Sequence, residues 1–330
     1  MSYDVYGIGA ALLDIEYAVD DGFLADHGVV KGHMTLVDET RLRALVDALA
    51  GLSPKRMCGG SAANTVYAVQ AFGGDCYYSC RVAGDDTGAR FLAEIAAAGV
   101  DVRPHDPERP GQSGRCLVLV TGDAERSMNT FLGASELLDI DDVVPGSLAR
   151  SRYAYIEGYL ASSETGRAAA IRTREIAEAE GVRTSLTLSD PSMVESFRDG
   201  LLAMLGNGVH ALFCNEEEAL QWTGADRVDI AANELADIAP LVFVTLGSAG
   251  SLAVAPSGRR EVAGFEVPAV DTTGAGDIYA GACLYALCSG ATPADAARFG
   301  NYAAAQLVAQ VGPRLPDLAD YRTLRERFSG

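Results

Sequence analysis

Basic side chains are scarce in this chain, and lysine is almost absent: Lys31 and Lys55 are the only two, and 26 lysines and arginines face 45 aspartates and glutamates, a formal charge of −19. A nucleic-acid binder needs a basic stripe to displace counterions, so nucleic acid is excluded as a partner. A polyphosphate ligand would have to be held by backbone amides, a metal and a few placed arginines. The acid excess suits a salt-adapted protein and says nothing about activity. Histidine is thin too: His27, His33, His105 and His210 are too scattered for a zinc site. Cysteines 58, 76, 80, 116, 214, 283 and 288 form no Cys-x-x-Cys pair and fall mostly in apolar runs, the pattern of reduced core thiols in a cytoplasmic protein. No apolar stretch reaches the roughly 18 residues of a membrane span. The N-terminus lacks the basic and then apolar pattern of a signal peptide, so a cytoplasmic protein with no membrane partner is expected. Internal repeats and low-complexity linkers are missing. So are the phosphate-loop pattern Gly-x-x-x-x-Gly-Lys-Ser/Thr and the protein-kinase motif set.

What is present is an ordinary globular composition, 48% hydrophobic over 330 residues, enough for one large α/β domain with an appendage or for two domains. The segment that organises the chain is Asp271-Thr272-Thr273-Gly274-Ala275-Gly276-Asp277, between an extended approach, Phe265 to Val270, and an Ala-rich helical run from Ile278. Gly274, Ala275 and Gly276 can turn tightly and bring backbone N–H groups together, and the positive end of the following helix adds to them. Such a nest suits a transferring phosphoryl group. Asp277, held ionised by the same field, would take the proton of an attacking hydroxyl. The plainer alternative is a helix cap built from Thr273 and Asp277.

Elsewhere β and α segments alternate. A strand from Tyr3 to Ala10 contains Gly7-Ile8-Gly9, but Leu12 stands where a dinucleotide fingerprint needs its third glycine. Asp14 follows at the carboxyl end of this strand, where open α/β sheets bind ligands; its alternative is a turn aspartate. Gly59, Gly60, Ser61 and Asn64 open a helix reaching Phe72, leaving room for a group to approach the backbone or for close helix packing. Residues 15–37 and 101–132 read as short strands joined by turns, the latter antiparallel. They are expected to form a small β lid over a main body of residues 1–14, 38–100 and 133–330. Further on, Asn215 with Glu218 makes a capping arrangement, which also suits a magnesium ion bound through waters. Thr245, Gly247 and Gly250 mark a strand end and hairpin, and Phe299 to Ala305 carries small residues, with Asn301 among them.

Two glycine-rich helix starts, an acidic patch and a glycine hairpin in this order resemble the ribokinase-like, or PfkB, carbohydrate kinase family. Gly59-Gly60-Ser61-Ala62-Ala63-Asn64 looks like its first signature and Asp271 to Asp277 like its second; Asn215-x-x-Glu218, Thr245-x-Gly247-x-x-Gly250 and Asn301 fall between and after them as the family has them. The resemblance covers nearly the whole chain. It implies a three-layer α/β sandwich with a central, mostly parallel sheet and a small β-sheet lid. It also implies ATP as co-substrate with Mg²⁺, Asp277 as base and Gly274 to Gly276 as anion hole. Glu218 and Asn215 would hold magnesium waters, and Thr245, Gly247, Gly250 and Asn301, with Asn215, would contact ATP. A K⁺ ion is implied near Asp271 and Thr273. The N-terminal stretch looks most like adenosine kinases. In that reading Asp14 holds two sugar hydroxyls with Gly60 and Asn64, Leu36, Cys116, Leu132 and Tyr159 line a base pocket, and Arg126 approaches the transferring phosphate. Ala10 and Met34 depart from that pattern. An ATP-dependent nucleoside kinase, adenosine to AMP, is the expected activity. A sugar kinase and a non-catalytic nucleoside or sugar binder stay open, as do monomer and homodimer.

Overall fold

The computed structural model describes residues 2–123 and 125–329; residues 1, 124 and 330, which the expected body and lid spans include, lie outside the described residues. Fourteen strands are seen among them: β1 (Tyr3–Ile8), β2 (Leu12–Ala18), β3 (Met34–Leu36), β4 (Lys55–Gly59), β5 (Cys76–Ser79), β6 (Asp101–Val102), β7 (Gly114–Val120), β8 (Arg126–Phe131), β9 (Ser151–Ile156), β10 (Arg183–Thr187), β11 (Ala211–Asn215), β12 (Leu241–Thr245), β13 (Gly250–Ala255) and β14 (Gly258–Ala263). Nine form a sheet in the order β14-β13-β12-β11-β10-β9-β1-β5-β6. The run from β12 to β6 is parallel throughout, and β13 and β14 add an antiparallel edge.

Alternation along the strands decides which side chain meets which helix layer. On one face Val5, Tyr153, Tyr155, Phe213 and Phe243 pack with helices Ser61–Phe72, Ala275–Cys288 and Pro293–Val308. On the other Tyr6, Ile8, Ala154, Ile156, Leu186 and Leu212 pack with helices Glu164–Glu180, Arg198–Leu205 and Val228–Leu235. Because both faces are covered, these strands read as nearly continuous apolar runs. The result is the expected three-layer sandwich.

The second sheet has five strands in the order β3-β8-β7-β2-β4. Its hairpin β7–β8 is antiparallel as expected, while β2 runs parallel to β7 and β3 parallel to β8. Three segments differ from the expected division, the first being residues 12–14, which open β2 of the small sheet instead of ending the body's first strand segment. Lys55–Gly59 extends the small sheet by pairing with β2, and Asp101–Val102 joins the edge of the large sheet beside β5. The alternation that marks a strand does not say which sheet it joins. After β10 the chain makes two short helices, Pro191–Ser196 and Arg198–Leu205, separated at Phe197 (φ −128°).

Candidate active site

The strand order reverses between β1 and β9, since the chain runs from β1 outward through β5 and later from β9 through β10 to β12. Ligands of open α/β sheets bind beyond the carboxyl ends of the strands at such a point. A cavity of about 620 Å³ lies there, lined by Ala10 and Glu157 just past β1 and β9, by Thr187, Asn215 and Thr245 at the ends of β10, β11 and β12, and by the small sheet.

The small sheet offers one face to this cleft. Leu36, Thr130, Cys116 and Asp14 stand in register across β3, β8, β7 and β2, and all four line the cavity. Two residues along the strands, Met34 and Met128 repeat the face, and Leu12 and Leu132 border it. The Asp14 carboxylate has no hydrogen-bond partner among the described residues. Burial pushes its carboxyl up to about 7, opposed by Arg314 and Arg126 and reinforced by Asp277 and Glu16. Gly59 lies behind Asp14 and outside the cleft lining: a Cβ there would run into the Asp14 carboxylate. Tyr159, Gly60, Ser61 and Asn64 do line the cleft.

The two glycine-rich helix starts meet on Asp277. Ser61 Oγ donates to Asp277 Oδ1 at 2.7 Å and Asn64 Nδ2 to Oδ2 at 3.0 Å. Ser61 and Asn64, expected to contact substrate, are therefore fastened to Asp277. Its carboxyl, expected to be held ionised by the helix field, is pushed up to about 6 by burial, against the hydrogen bonds of Ser61 and Asn64 and the charge of Arg314. Beside it Gly274 caps the helix in the left-handed region, φ 76°. The N–H of Ala275 donates to Thr272 O at 3.1 Å, so the amides facing a ligand narrow to those around it.

Asp271 is engaged on both oxygens. Oδ1 accepts from Thr273 N at 3.0 Å, Oδ2 from Gly312 N at 2.6 Å, and Arg126 Nη2 pairs with Oδ2 at 2.6 Å. Arg126 also reaches Glu16 at 2.9 Å. Arg126, expected to approach a transferring phosphate, thus bridges two carboxylates, one on each sheet's side of the cleft. A potassium ion does not fit Asp271 and Thr273 in this arrangement, because a guanidinium already supplies the positive charge.

Asn215 and Glu218 complete a reciprocal cap: Glu218 N donates to Asn215 Oδ1 at 2.8 Å and Asn215 N to Glu218 Oε2 at 3.1 Å. Burial pushes the Glu218 carboxyl up to about 7, the Asn215 amide opposing it and Asp190 adding to it. No group of three or more His, Cys, Asp or Glu side chains suited to a metal occurs among the described residues. A magnesium ion held by water and phosphate oxygens needs none, and the Asn215–Glu218 pair fits that mode. Asn215 and Thr245 also line an open depression of about 630 Å³ with Glu216, Glu217, Leu220, Gln221, Leu246 and Gly247. Gly250 and Asn301, expected to contact ATP, line neither space. Gly250 (φ 104°) starts β13 where any Cβ would strike Val262 O, and Asn301 Nδ2 donates to Val262 O at 2.9 Å and Ala263 O at 3.2 Å. Both secure the β14 edge.

Sequence reading passed over Glu157 and Arg314. Glu157 is 1% exposed and accepts from Ala62 N at 2.8 Å and Ala10 N at 3.2 Å, joining the first strand's end to the Ser61–Phe72 helix. Its position at the end of β9 was the available signal. Arg314 lies in a Gly-Pro loop with no signal at all.

The chain is similar to known proteins over most of its length. The pattern of the pfkB family of carbohydrate kinases matches residues 33–319. The chain is 26% identical over 339 residues to the adenosine kinase of Saccharomyces cerevisiae, covering 94% of this chain and 96% of that one. To the ribokinase of Haemophilus influenzae it is 28% identical over 297 residues, covering 87% and 90%. The solved structure of adenosine kinase from Sinorhizobium meliloti matches with a TM-score of 0.91 and 35% identity over 99% of each chain. With the family pattern spanning most of its length and the ribokinase-like sandwich in place, the chain belongs to the pfkB family of carbohydrate kinases.

Proposed function

We propose that this kinase transfers the γ-phosphate of ATP to a primary hydroxyl of a nucleoside, adenosine being the first candidate. The observation that carries the acceptor class is the cleft wall formed by Leu12, Met34, Leu36, Cys116, Met128 and Leu132. A free sugar would leave this apolar wall uncovered, whereas a flat heteroaromatic base buries it. A phosphorylated acceptor has little to meet: Arg126 is the one basic side chain among the described lining residues, and two carboxylates already hold it.

In this reading Asp14, with both oxygens free, accepts the two ribose hydroxyls. Asp277 takes the proton of the attacking hydroxyl as phosphorus is reached. The amides at the start of helix Ala275–Cys288 stabilise the charge on the transferring group, and the depression beside Thr245 and Gly247 takes the nucleotide. Magnesium, held through water by Asn215 and Glu218, supplies neutralisation of phosphate charge when bound. The small sheet, acting as a lid, keeps water from the γ-phosphate. No step runs through potassium.

The test is ADP production by the purified protein with magnesium-ATP across adenosine, other nucleosides, ribose, fructose and fructose 6-phosphate. Adenosine turning over at micromolar concentration supports the reading. A free sugar outpacing every nucleoside sinks the acceptor assignment and leaves the kinase chemistry standing.

A further inference from the structure

Asn64 can serve Asp277 only if its amide is turned the right way. An Asn side chain is close to symmetric in shape, but one end donates and the other accepts. Its donor end meets Asp277; its acceptor end, Oδ1, accepts from Arg314 Nε at 2.9 Å. A guanidinium only donates and a carboxylate only accepts, so this pair of neighbours permits one orientation of the amide and forbids the flipped one.

Arg314 is itself fixed. Its guanidinium stands 4.3 Å over the Tyr67 ring, Nη1 pairs with Glu94 Oε1 at 3.3 Å, and the side chain is only 10% exposed. Glu94 Oε1 also accepts from Cys58 N at 3.3 Å. The loop carrying Arg314 is tied to the anion-binding segment, because Asp271 accepts from Gly312 N. Among the described residues Arg314 is the cation that acts on Asp277, while Asp14 and Glu157 are acidic and Tyr78, Tyr155 and Tyr159 are kept neutral by burial.

We propose that Arg314 is a positioning residue for phosphoryl transfer: it locks the Asn64 amide so that Nδ2 holds Asp277, and it supplies the positive charge that keeps Asp277 ready to accept a proton. It need touch neither substrate. The inference rests on Asp277 acting as the base.

The test compares wild type, Arg314→Met and Arg314→Lys by steady-state ADP production between pH 5 and 9, with thermal unfolding alongside. Arg314→Met is expected to lower kcat about 10- to 100-fold, the range met when a partner orienting a functional side chain is removed. The acid limb of its kcat profile should move up by about one pH unit, the effect of losing one nearby charge, with acceptor KM changed less than about 3-fold. Arg314→Lys keeps the charge and should return the acid limb to the wild-type position. A second readout needs no turnover: ¹³C-NMR titration of aspartate carboxyls in the nucleotide-free protein, with Asp277 assigned from the signal lost in Asp277→Asn. There Arg314→Met should raise the Asp277 midpoint and Arg314→Lys should not. An unmoved midpoint in a folded Arg314→Met, or in Arg314→Gln should the Met variant not fold, overturns the proposal, as does an unmoved acid limb. A shifted midpoint in a protein that phosphorylates no acceptor upholds the link between Arg314 and Asp277 and removes the kinase role built on it.

Discussion

Two carboxylates of the cleft differ in their partners, and that difference separates their expected roles. Asp277 is gripped by Ser61 and Asn64, so its oxygens are oriented toward whatever reaches the helix start. Asp277→Asn keeps the shape and removes the proposed base. Turnover should fall by about 10² to 10⁴, the usual contribution of a general base, with acceptor affinity nearly kept; a variant keeping most of its kcat would exclude that role. In the wild type, kcat should decline as pH falls through about 6, where the carboxyl gains its proton. Asp14 has free oxygens, which suits binding. Asp14→Asn is expected to raise acceptor KM by about 10- to 100-fold, the worth of hydrogen bonds to a charged group, and to do so far more than it lowers kcat. Steady-state kinetics with varied acceptor decides it, and a pure kcat loss would contradict the assignment.

Among elements, the start of helix Ala275–Cys288 carries two glycines with different reasons to be glycine. Gly274 has φ 76°, and a Cβ there would stand 2.6 Å from Pro313 O and 2.8 Å from Pro313 Cα. Gly274→Ala should therefore destabilise the protein by roughly 1–3 kcal/mol, the cost of a strained backbone position, before the clash is counted. At Gly276 an added methyl meets no protein atom within 4 Å, yet Gly276 lines the cleft. Gly276→Ala should keep the wild-type melting temperature and lose turnover, because the methyl enters the space the proposed mechanism gives to the transferring phosphoryl group. Thermal melts and ADP assays on the two variants distinguish stability from site; equal melting losses would show that both glycines serve the turn alone.

The whole molecule carries buried acid, and this sets the pH dependence of its stability. Burial pushes Asp14, Glu157 and Glu218 up to about 7 and Asp277 up to about 6. Each group is raised above its unfolded value, so the folded chain binds more protons between about pH 4 and 7 and gains stability as pH falls through that window. Asp85, Asp123 and Asp139 are shifted downward by their partners and act only below about pH 4. His210, lowered by burial and Arg183, opposes the trend below its ordinary value. The formal charge of −19 reinforces it, since self-repulsion grows as acids ionise. The ligand-free protein should melt higher at pH 6 than at pH 8, and Glu157→Gln should flatten that slope. Calorimetry across this range reads it directly, and a slope of the opposite sign would mean that these carboxylates are solvated in the folded state.

Local sequence was enough for the αβ alternation, the two glycine-rich helix starts, the Asn215–Glu218 cap and the family resemblance, because periodicity, capping and turn chemistry act over a few neighbouring residues. It was also enough to single out Asp277 and Asp14. Tertiary structure alone decided that Ser61 and Asn64 close on Asp277, over two hundred residues away. It decided too that Lys55–Gly59 completes the small sheet, that Gly250 and Asn301 hold the β14 edge, and that Arg126 neutralises Asp271. Glu157 and Arg314 became functional candidates only there. A buried charge is interpretable only with its partners, and those partners are brought together by the strand order and not by the spacing of residues along the chain.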